Sequence, residues 1–257
     1  IEVLTSNGIT VHYANEATTG TLSAAVLMLK AAFSINLTPS HNPMEYAGFK
    51  FNAADAGPAA SEVTSRITEN ARQLIASNTI PTLSPDMTLV KKCDALACWQ
   101  GLVAKGASQH GLNYTEIMTA FHSASDCVVA VDCVHGASRV HMRALFGNQP
   151  SDHLILFRDQ ADPTFGGVAP EPSSQNMRQV LTTLQQRPEP LKLGVIIDPD
   201  ADRIRFTDGT IEIDMNLFGA MAFHYLHENK GRHGLVAKTV ATSNFANAIA
   251  KGLHEEI

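Results

Sequence analysis

Three aspartates stand at alternate positions in Asp198-Pro199-Asp200-Ala201-Asp202-Arg203, directly after the apolar run Leu193 to Ile197 and before Ile204-Arg205-Phe206. Carboxylates spaced in this way can converge on one hard cation, because oxygen donors suit Mg²⁺ or Ca²⁺. The plain alternative is a surface turn with solvated aspartates; the strand expected before the loop and the adjacent Arg203 argue for a divalent-metal loop instead. An EF-hand would need Gly at loop position six and Glu at twelve. Counting from Asp198, those places hold Arg203 and Gly209, so that loop type is excluded.

A second group is Thr38-Pro39-Ser40-His41-Asn42-Pro43, followed by Glu45, Tyr46, Gly48 and Lys50. Two prolines stiffen the loop, and a hydroxyl held between them is a candidate acceptor for a phosphoryl group. A Ser that merely caps a helix in a proline-rich turn is the competing reading. A serine hydrolase is disfavoured because G-x-S-x-G is absent and no acidic partner is spaced to support a triad. His41 can serve equally by holding the loop through hydrogen bonds or by moving protons. A phosphatase of the haloacid dehalogenase type would make Asp198 the nucleophile and Asp200 the acid/base. It normally carries Thr or Val where this chain has Asp202, and it stays a distant alternative.

These loops must be positioned by the elements around them. Short apolar runs at Ser34 to Leu37, Cys127 to Val131, Leu154 to Phe157, Leu193 to Ile197 and Leu235 to Lys238 read as strands, and most end in polar residues. Ligands of open α/β sheets sit beyond the carboxyl ends of strands. Helical spacing links Val63, Ile67 and Leu74, and again Met177, Val180, Leu181 and Leu184, so both stripes are expected in the core. Ser173 and Ser174 after Pro172 should start the second of these helices, and Pro188 with Pro190 should stop it. Asn78 to Thr88 reads as an interdomain linker, and a second break is expected near Asp208-Gly209, ahead of a helix spanning Met215 to His227. The predicted class is α/β, with several successive α/β domains on mixed, largely parallel sheets.

Composition narrows the function. The 257 residues are 44% apolar with 25 acidic and 19 basic side chains, a net charge of −6. A globular chain with sizeable cores follows, and a polyanion binder is disfavoured, so no nucleic-acid partner is expected. The uncharged stretch from Ala17 to Leu29 ends at Lys30 and falls short of the roughly 20 residues that span a bilayer, so no membrane partner is expected. Cys93, Cys98, Cys127 and Cys133 form neither a disulfide scaffold nor a zinc knuckle, which fits reduced thiols and a cytoplasmic location. The sequence opens on Ile1 with no readable signal peptide, as expected of a chain that starts mid-protein.

Together, Thr38 to Pro43 with Lys50, and Asp198 to Arg203, resemble the T-x-S-H-N-P and D-x-D-x-D-R motifs of the α-D-phosphohexomutase superfamily, which includes phosphoglucomutase and phosphomannomutase. Val131 to Ala137 resembles the family's D-x-x-H-G loop, and Asp162 to Pro172 its D-x-x-F-x-G…P-E-P segment. The likeness runs over nearly the whole chain. It implies a phosphoserine-loop domain over 1–85 lacking its opening strand, a second α/β domain over 86–208 ending in the metal loop, and the start of a sugar-reading domain over 209–257. Members of the family are longer, with four domains, and no G-E-x-S-G sugar-reading loop occurs here, so the chain is expected to be truncated.

The resemblance also implies an activity. The expected reaction is intramolecular phosphotransfer, an isomerase interconverting hexose 1-phosphate and hexose 6-phosphate through a phosphoserine and a hexose bisphosphate intermediate. Ser40 would be the relay, Mg²⁺ would be held by Asp198, Asp200, Asp202 and the Ser40 phosphate, and Arg203 would pair with that phosphate. Lys50 would be the general acid/base if burial or neighbours lower its pKa, with His41 beside it. His135-Gly136 would shape the cleft. Phe165-Gly166-Gly167 reads as a tight turn rather than a phosphate cradle, and by analogy points to glucose, with mannose the substrate alternative. A non-catalytic remnant that binds phosphosugar or metal is the alternative of a different class.

Overall fold

The computed structural model describes residues 1–43, 45–78, 84–147 and 151–256. It opens with α1 (Glu2–Ser6), β1 (Val11–Tyr13), α2 (Thr19–Leu29), β2 (Ser34–Leu37), β3 (Phe49–Asn52) and α3 (Ser61–Ser77). Helix α2 starts at Thr18, whose hydroxyl accepts the Thr21 amide, and stops at Lys30 in the left-handed region. Strands β2 and β3 form an antiparallel hairpin in which Leu37 faces Phe49 and Asn36 faces Lys50. The ladder cannot continue through Pro39 and Pro43, which lack an amide hydrogen, so residues 38–43 and 45–48 lie outside the sheet, in the serine loop.

Of the expected linker, residues 79–83 lie outside the described residues. Beyond it come β4 (Val90–Lys92), which pairs in parallel with β1, and α4 (Ala95–His110), which packs on α2. These contacts run across the division expected near residue 85.

Next come α5 (Tyr114–Ser123), β5 (Cys127–Asp132), α6 (Ser138–Phe146), β6 (Leu154–Phe157), α7 (Ser174–Gln185), β7 (Leu191–Ile197), β8 (Ile204–Thr207) and β9 (Glu212–Ile213). Their sheet has the order β6-β5-β7-β8-β9, with β5 parallel to β6 and β7, and the last two pairings antiparallel. Strand β5 is buried on both faces, which is why it reads as a continuous apolar run. Val128 and Ala130 meet Met177, Val180 and Leu184 of α7, while Val129 and Val131 face Phe121 of α5 and Phe146 of α6. Those three α7 side chains are fully buried, each worth about 1.5–3 kcal/mol relative to exposure. Ser173 caps α7 as its sequence predicts, accepting the Asn176 amide.

The chain closes with α8 (Met215–Glu228), capped by Asp214, and α9 (Phe245–Gly252), which pack together. Two expectations fail. Leu235 to Lys238 is not a strand: among the described residues no strand lies beside it to complete a ladder, and Leu235 is 71% exposed. Helix α3 forms, but its stripe is not core, since Val63, Ile67 and Leu74 are 43%, 37% and 46% exposed. Helical spacing reports the helix; only a covering layer makes a core, and none of the described elements buries this face. Among the described residues no helix is long and apolar enough to cross a membrane.

Candidate functional site

The aspartate loop is the turn of the β7–β8 hairpin, clamped where Ile197 pairs with Ile204. Asp198 ties it internally: its Oδ1 accepts the Asp202 and Arg203 amides, each at 3.0 Å, and its own amide donates to the Arg203 carbonyl. Asp198 and Asp200 are buried and Asp202 lies at the rim. One oxygen from each of the three lies within 4.8 Å of the others. Asp198 Oδ2 and Asp200 Oδ1 are buried with no hydrogen-bond partner among the described residues. Burial pushes the Asp198 carboxyl up to about 7, against the bond from the Arg203 amide and with the Asp200 and Asp202 charges adding to the rise. Orphaned carboxylate oxygens in a close group are costly without a cation and well matched to one, so the donor set fits a hard, oxygen-binding metal ion.

The serine loop meets this group. Ser40 sits at its tip with φ +58°, a conformation that non-glycine residues hold only where the surroundings enforce it. Here the Ser40 amide donates to Thr38 Oγ1 at 2.9 Å, and the Thr38 hydroxyl donates to Asp200 Oδ2 at 3.3 Å. Thr38 therefore stands between the serine and the aspartates. The loop closes where the Thr38 amide donates to the Gly48 carbonyl, and a Cβ on Gly48 would lie 1.9 Å from the Thr38 carbonyl oxygen, so only glycine permits this crossing. Ser40 Oγ lies 3.4 Å from His41 Nδ1.

Strand β3 delivers Lys50 to the same place, with Nζ 2.6 Å from Asp200 and 2.7 Å from Asp202. The condition for Lys50 to act as a base, a lowered pKa, is not met. Partial burial works against the charge, but the hydrogen bonds and charges of the two aspartates outweigh it and raise the pKa. Lys50 is thus a paired ammonium. The same contact holds Asp202 low in spite of its own partial burial. Arg203 is half-exposed, 3.9 Å from Asp202.

Thr19 is a site residue that sequence reasoning missed. At the first turn of α2, its amide donates to the Asp200 carbonyl at 2.9 Å and its hydroxyl to Asp200 Oδ2 at 3.3 Å, while Asn36 donates to that hydroxyl. The only sequence signal was the Thr18-Thr19-Gly20 helix start, and nothing in it names a partner so distant in the chain.

The 132–137 segment buttresses the aspartate loop from the other side. Buried Asp132 takes a forked pair from Arg158 and accepts the Val134 amide, fixing a tight turn in which Val134 and His135 both have positive φ. The Ala137 amide donates to the Pro199 carbonyl at 2.7 Å, and a Cβ on Gly136 would lie 2.3 Å from Pro199 Cα. His135 bonds the Gln160 carbonyl. Phe165-Gly166-Gly167 is a tight turn with all three φ positive; the Thr164 and Gly166 amides are taken by Asp162 rather than turned outward. The four cysteines are free, and burial pushes the Cys133 thiol up to about 11.

The chain is similar to known proteins in sequence and in fold. Residues 1–77 match the family described as phosphoglucomutase/phosphomannomutase, alpha/beta/alpha domain I, and residues 112–211 match its domain II. Phosphoglucomutases of Staphylococcus aureus are similar: that of strain bovine RF122 / ET3-1 is 26% identical over 97% of this chain and 46% of its own, so this chain spans about half the length of such relatives. Among solved structures, a putative phosphomannomutase from Thermus thermophilus superposes with a TM-score of 0.76 at 24% identity, covering 98% of this chain and 54% of that one. The open form of the Paramecium exocytosis-sensitive phosphoprotein pp63/parafusin, a phosphoglucomutase, gives a TM-score of 0.75 at 19% identity, covering 97% and 50%.

Proposed function

The chain belongs to the phosphoglucomutase/phosphomannomutase family, and from that premise we propose that it carries the phosphoryl-relay half of a hexose phosphate mutase. The observation that carries this reading is the convergence of the Ser40 loop and the aspartate loop on Asp200, through Thr38 on one side and Lys50 on another. Ser40 Oγ would bond to phosphorus as a sugar oxygen leaves, and the reverse step would return the phosphoryl group to the other end of the sugar. Glucose phosphates are the preferred substrates, by the Phe165-Gly166-Gly167 analogy, with mannose the alternative.

Asp198, Asp200 and Asp202 would hold Mg²⁺, and a phosphate on Ser40 would complete the set. When bound, the cation supplies positive charge against the oxygens of the transferring phosphoryl group. His41 is the group placed to take the proton of Ser40. Lys50, charged by its pairing, is in the donor form and suits a departing sugar oxygen. Arg203, half-exposed and loosely paired, is available to a phosphate as a planar, always-charged donor. The turn at Ser40, held by the bond from its amide to Thr38 Oγ1, would pre-set the hydroxyl and leave less ordering for the transfer itself.

The test is phosphate transfer to the protein. Incubated with Mg²⁺ and glucose 1,6-bisphosphate, the chain should gain one phosphate that peptide mass mapping places on Ser40, and Ser40→Ala should gain none. Phosphate on Asp198 would favour the haloacid dehalogenase reading, and failure to gain any phosphate would overturn the relay.

A further inference from the structure

A second group of metal-ligating side chains lies outside the aspartate loop, around the C-terminal end of α8. His227 occupies the last turn of that helix. The Gly231 amide bonds the His227 carbonyl and the Arg232 amide bonds the Leu226 carbonyl, turning the chain so that His233 comes back against His227, the two rings edge to face at 4.4 Å. Glu255 arrives from beyond α9, in a tail tied to the 233–236 segment where the Val236 amide donates to the Glu256 carbonyl.

Three ligand atoms meet there. His233 Nδ1 is 3.0 Å from His227 Nε2 and 2.9 Å from Glu255 Oε1, and the third side, His227 Nε2 to Glu255 Oε1, is 3.1 Å. Such a triangle has a point about 2 Å from all three corners, the bond length of Zn²⁺ to imidazole and carboxylate. A separate contact prepares the set: His227 Nδ1 lies 2.8 Å from Glu228 Oε1. A hydrogen on Nδ1 donated to that carboxylate leaves the Nε2 lone pair facing the other two ligands, the outer arrangement that orients metal-binding histidines. The His227 and Glu255 side chains are 12% and 17% exposed and that of His233 is 67% exposed, so one side stays open for a water as fourth ligand.

We propose that His227, His233 and Glu255 form a Zn²⁺ site, with Glu228 as the carboxylate behind His227, that fastens the C-terminal segment to the end of α8. Two imidazoles with one carboxylate suit a borderline cation, whereas Mg²⁺ and Ca²⁺ keep to oxygen donors. The two metal sites of the chain therefore sort cations by donor type, and this one does not depend on the relay chemistry.

The experiment titrates chelator-stripped protein with Zn²⁺ in saturating Mg²⁺, which fills the aspartate loop, and reads stoichiometry and affinity by competition with a chromophoric chelator. One Zn²⁺ per chain is expected, bound at least tenfold more weakly by His233→Ala and by Glu255→Gln, with Glu228→Gln weakened about tenfold. Because His233 is largely exposed, its removal should leave the fold intact by circular dichroism, and Zn²⁺ should raise the melting temperature of the parent protein but not of His233→Ala. No Zn²⁺ binding by the parent, or affinity unchanged in both His233→Ala and Glu255→Gln, would overturn the site.

Discussion

Lys50 Nζ bridges two carboxylates, 2.6 Å from Asp200 and 2.7 Å from Asp202, across 150 residues of chain to the nearer one. The β2–β3 hairpin thereby supplies the counter-charge for the turn of the β7–β8 hairpin. The ammonium occupies one side of an acidic group whose Asp198 Oδ2 and Asp200 Oδ1 find no protein donor among the described residues. A divalent cation would answer those orphaned oxygens, so lysine and metal share one electrostatic task and each should matter more when the other is gone.

Lys50→Met removes the shared counter-charge while keeping most of the apolar stem. The pair is part-exposed, so its loss should cost about 1–2 kcal/mol in metal-free protein, less than a fully buried pair would. Mg²⁺ should then stabilise the variant more than it stabilises the parent, by linkage to the folded state. Thermal melts with chelator and with Mg²⁺ measure both effects; a smaller Mg²⁺ increment in the variant would contradict the shared role.

Asp198→Asn separates fold from metal. The Asn oxygen can still accept the Asp202 and Arg203 amides that Asp198 Oδ1 accepts, while one of three crowded negative charges disappears. Metal-free Asp198→Asn should therefore melt at or above the parent temperature, yet bind Mg²⁺ at least about tenfold more weakly for want of an anionic ligand. Calorimetric titration showing parental Mg²⁺ affinity would remove Asp198 from the ligand set.

What the sequence revealed follows from how local each feature is. The Leu154–Phe157 strand and the Ser173 cap were legible because an apolar run or a capping hydroxyl is written in adjacent residues. The aspartate loop was legible for the same reason. Thr19 was not, because its role exists only once α2 abuts Asp200. Nor was the charged state of Lys50, which depends on two carboxylates met only in the fold. The spacing of Val63, Ile67 and Leu74 encoded a helix but not the exposure of its stripe, and the short apolar run Leu235 to Ala237 encoded no partner strand.

His141, on α6, is buried, and that burial lowers its pKa against the opposing charge of Asp94. The unfolded chain therefore binds this proton at a higher pH than the native one, and stability must fall as pH drops through 6.5 toward the folded value. His141→Gln should flatten that part of the profile. Urea unfolding of both proteins at about pH 7.5 and about pH 5.5 checks it: an equal acid loss in the two would show that His141 contributes nothing to the slope.

Gly136→Ala tests how the aspartate loop is held. An added Cβ would lie 2.3 Å from Pro199 Cα and 2.5 Å from its carbonyl oxygen, and these are backbone atoms that no rotamer change can withdraw. Either the 132–137 turn or the aspartate loop must move. The turn is anchored by the Asp132–Arg158 fork and the Val134 amide, so the displacement falls mainly on residues 198–203. The cost should be at least about 2 kcal/mol in stability, within the range for overpacked sites. Mg²⁺ affinity should fall together with stability, although residue 136 offers the ion no ligand. Urea unfolding and Mg²⁺ titration of the folded variant give the two readouts. Lost stability with parental Mg²⁺ affinity would mean that the turn yields instead, and that the aspartate loop is positioned by its own hairpin alone.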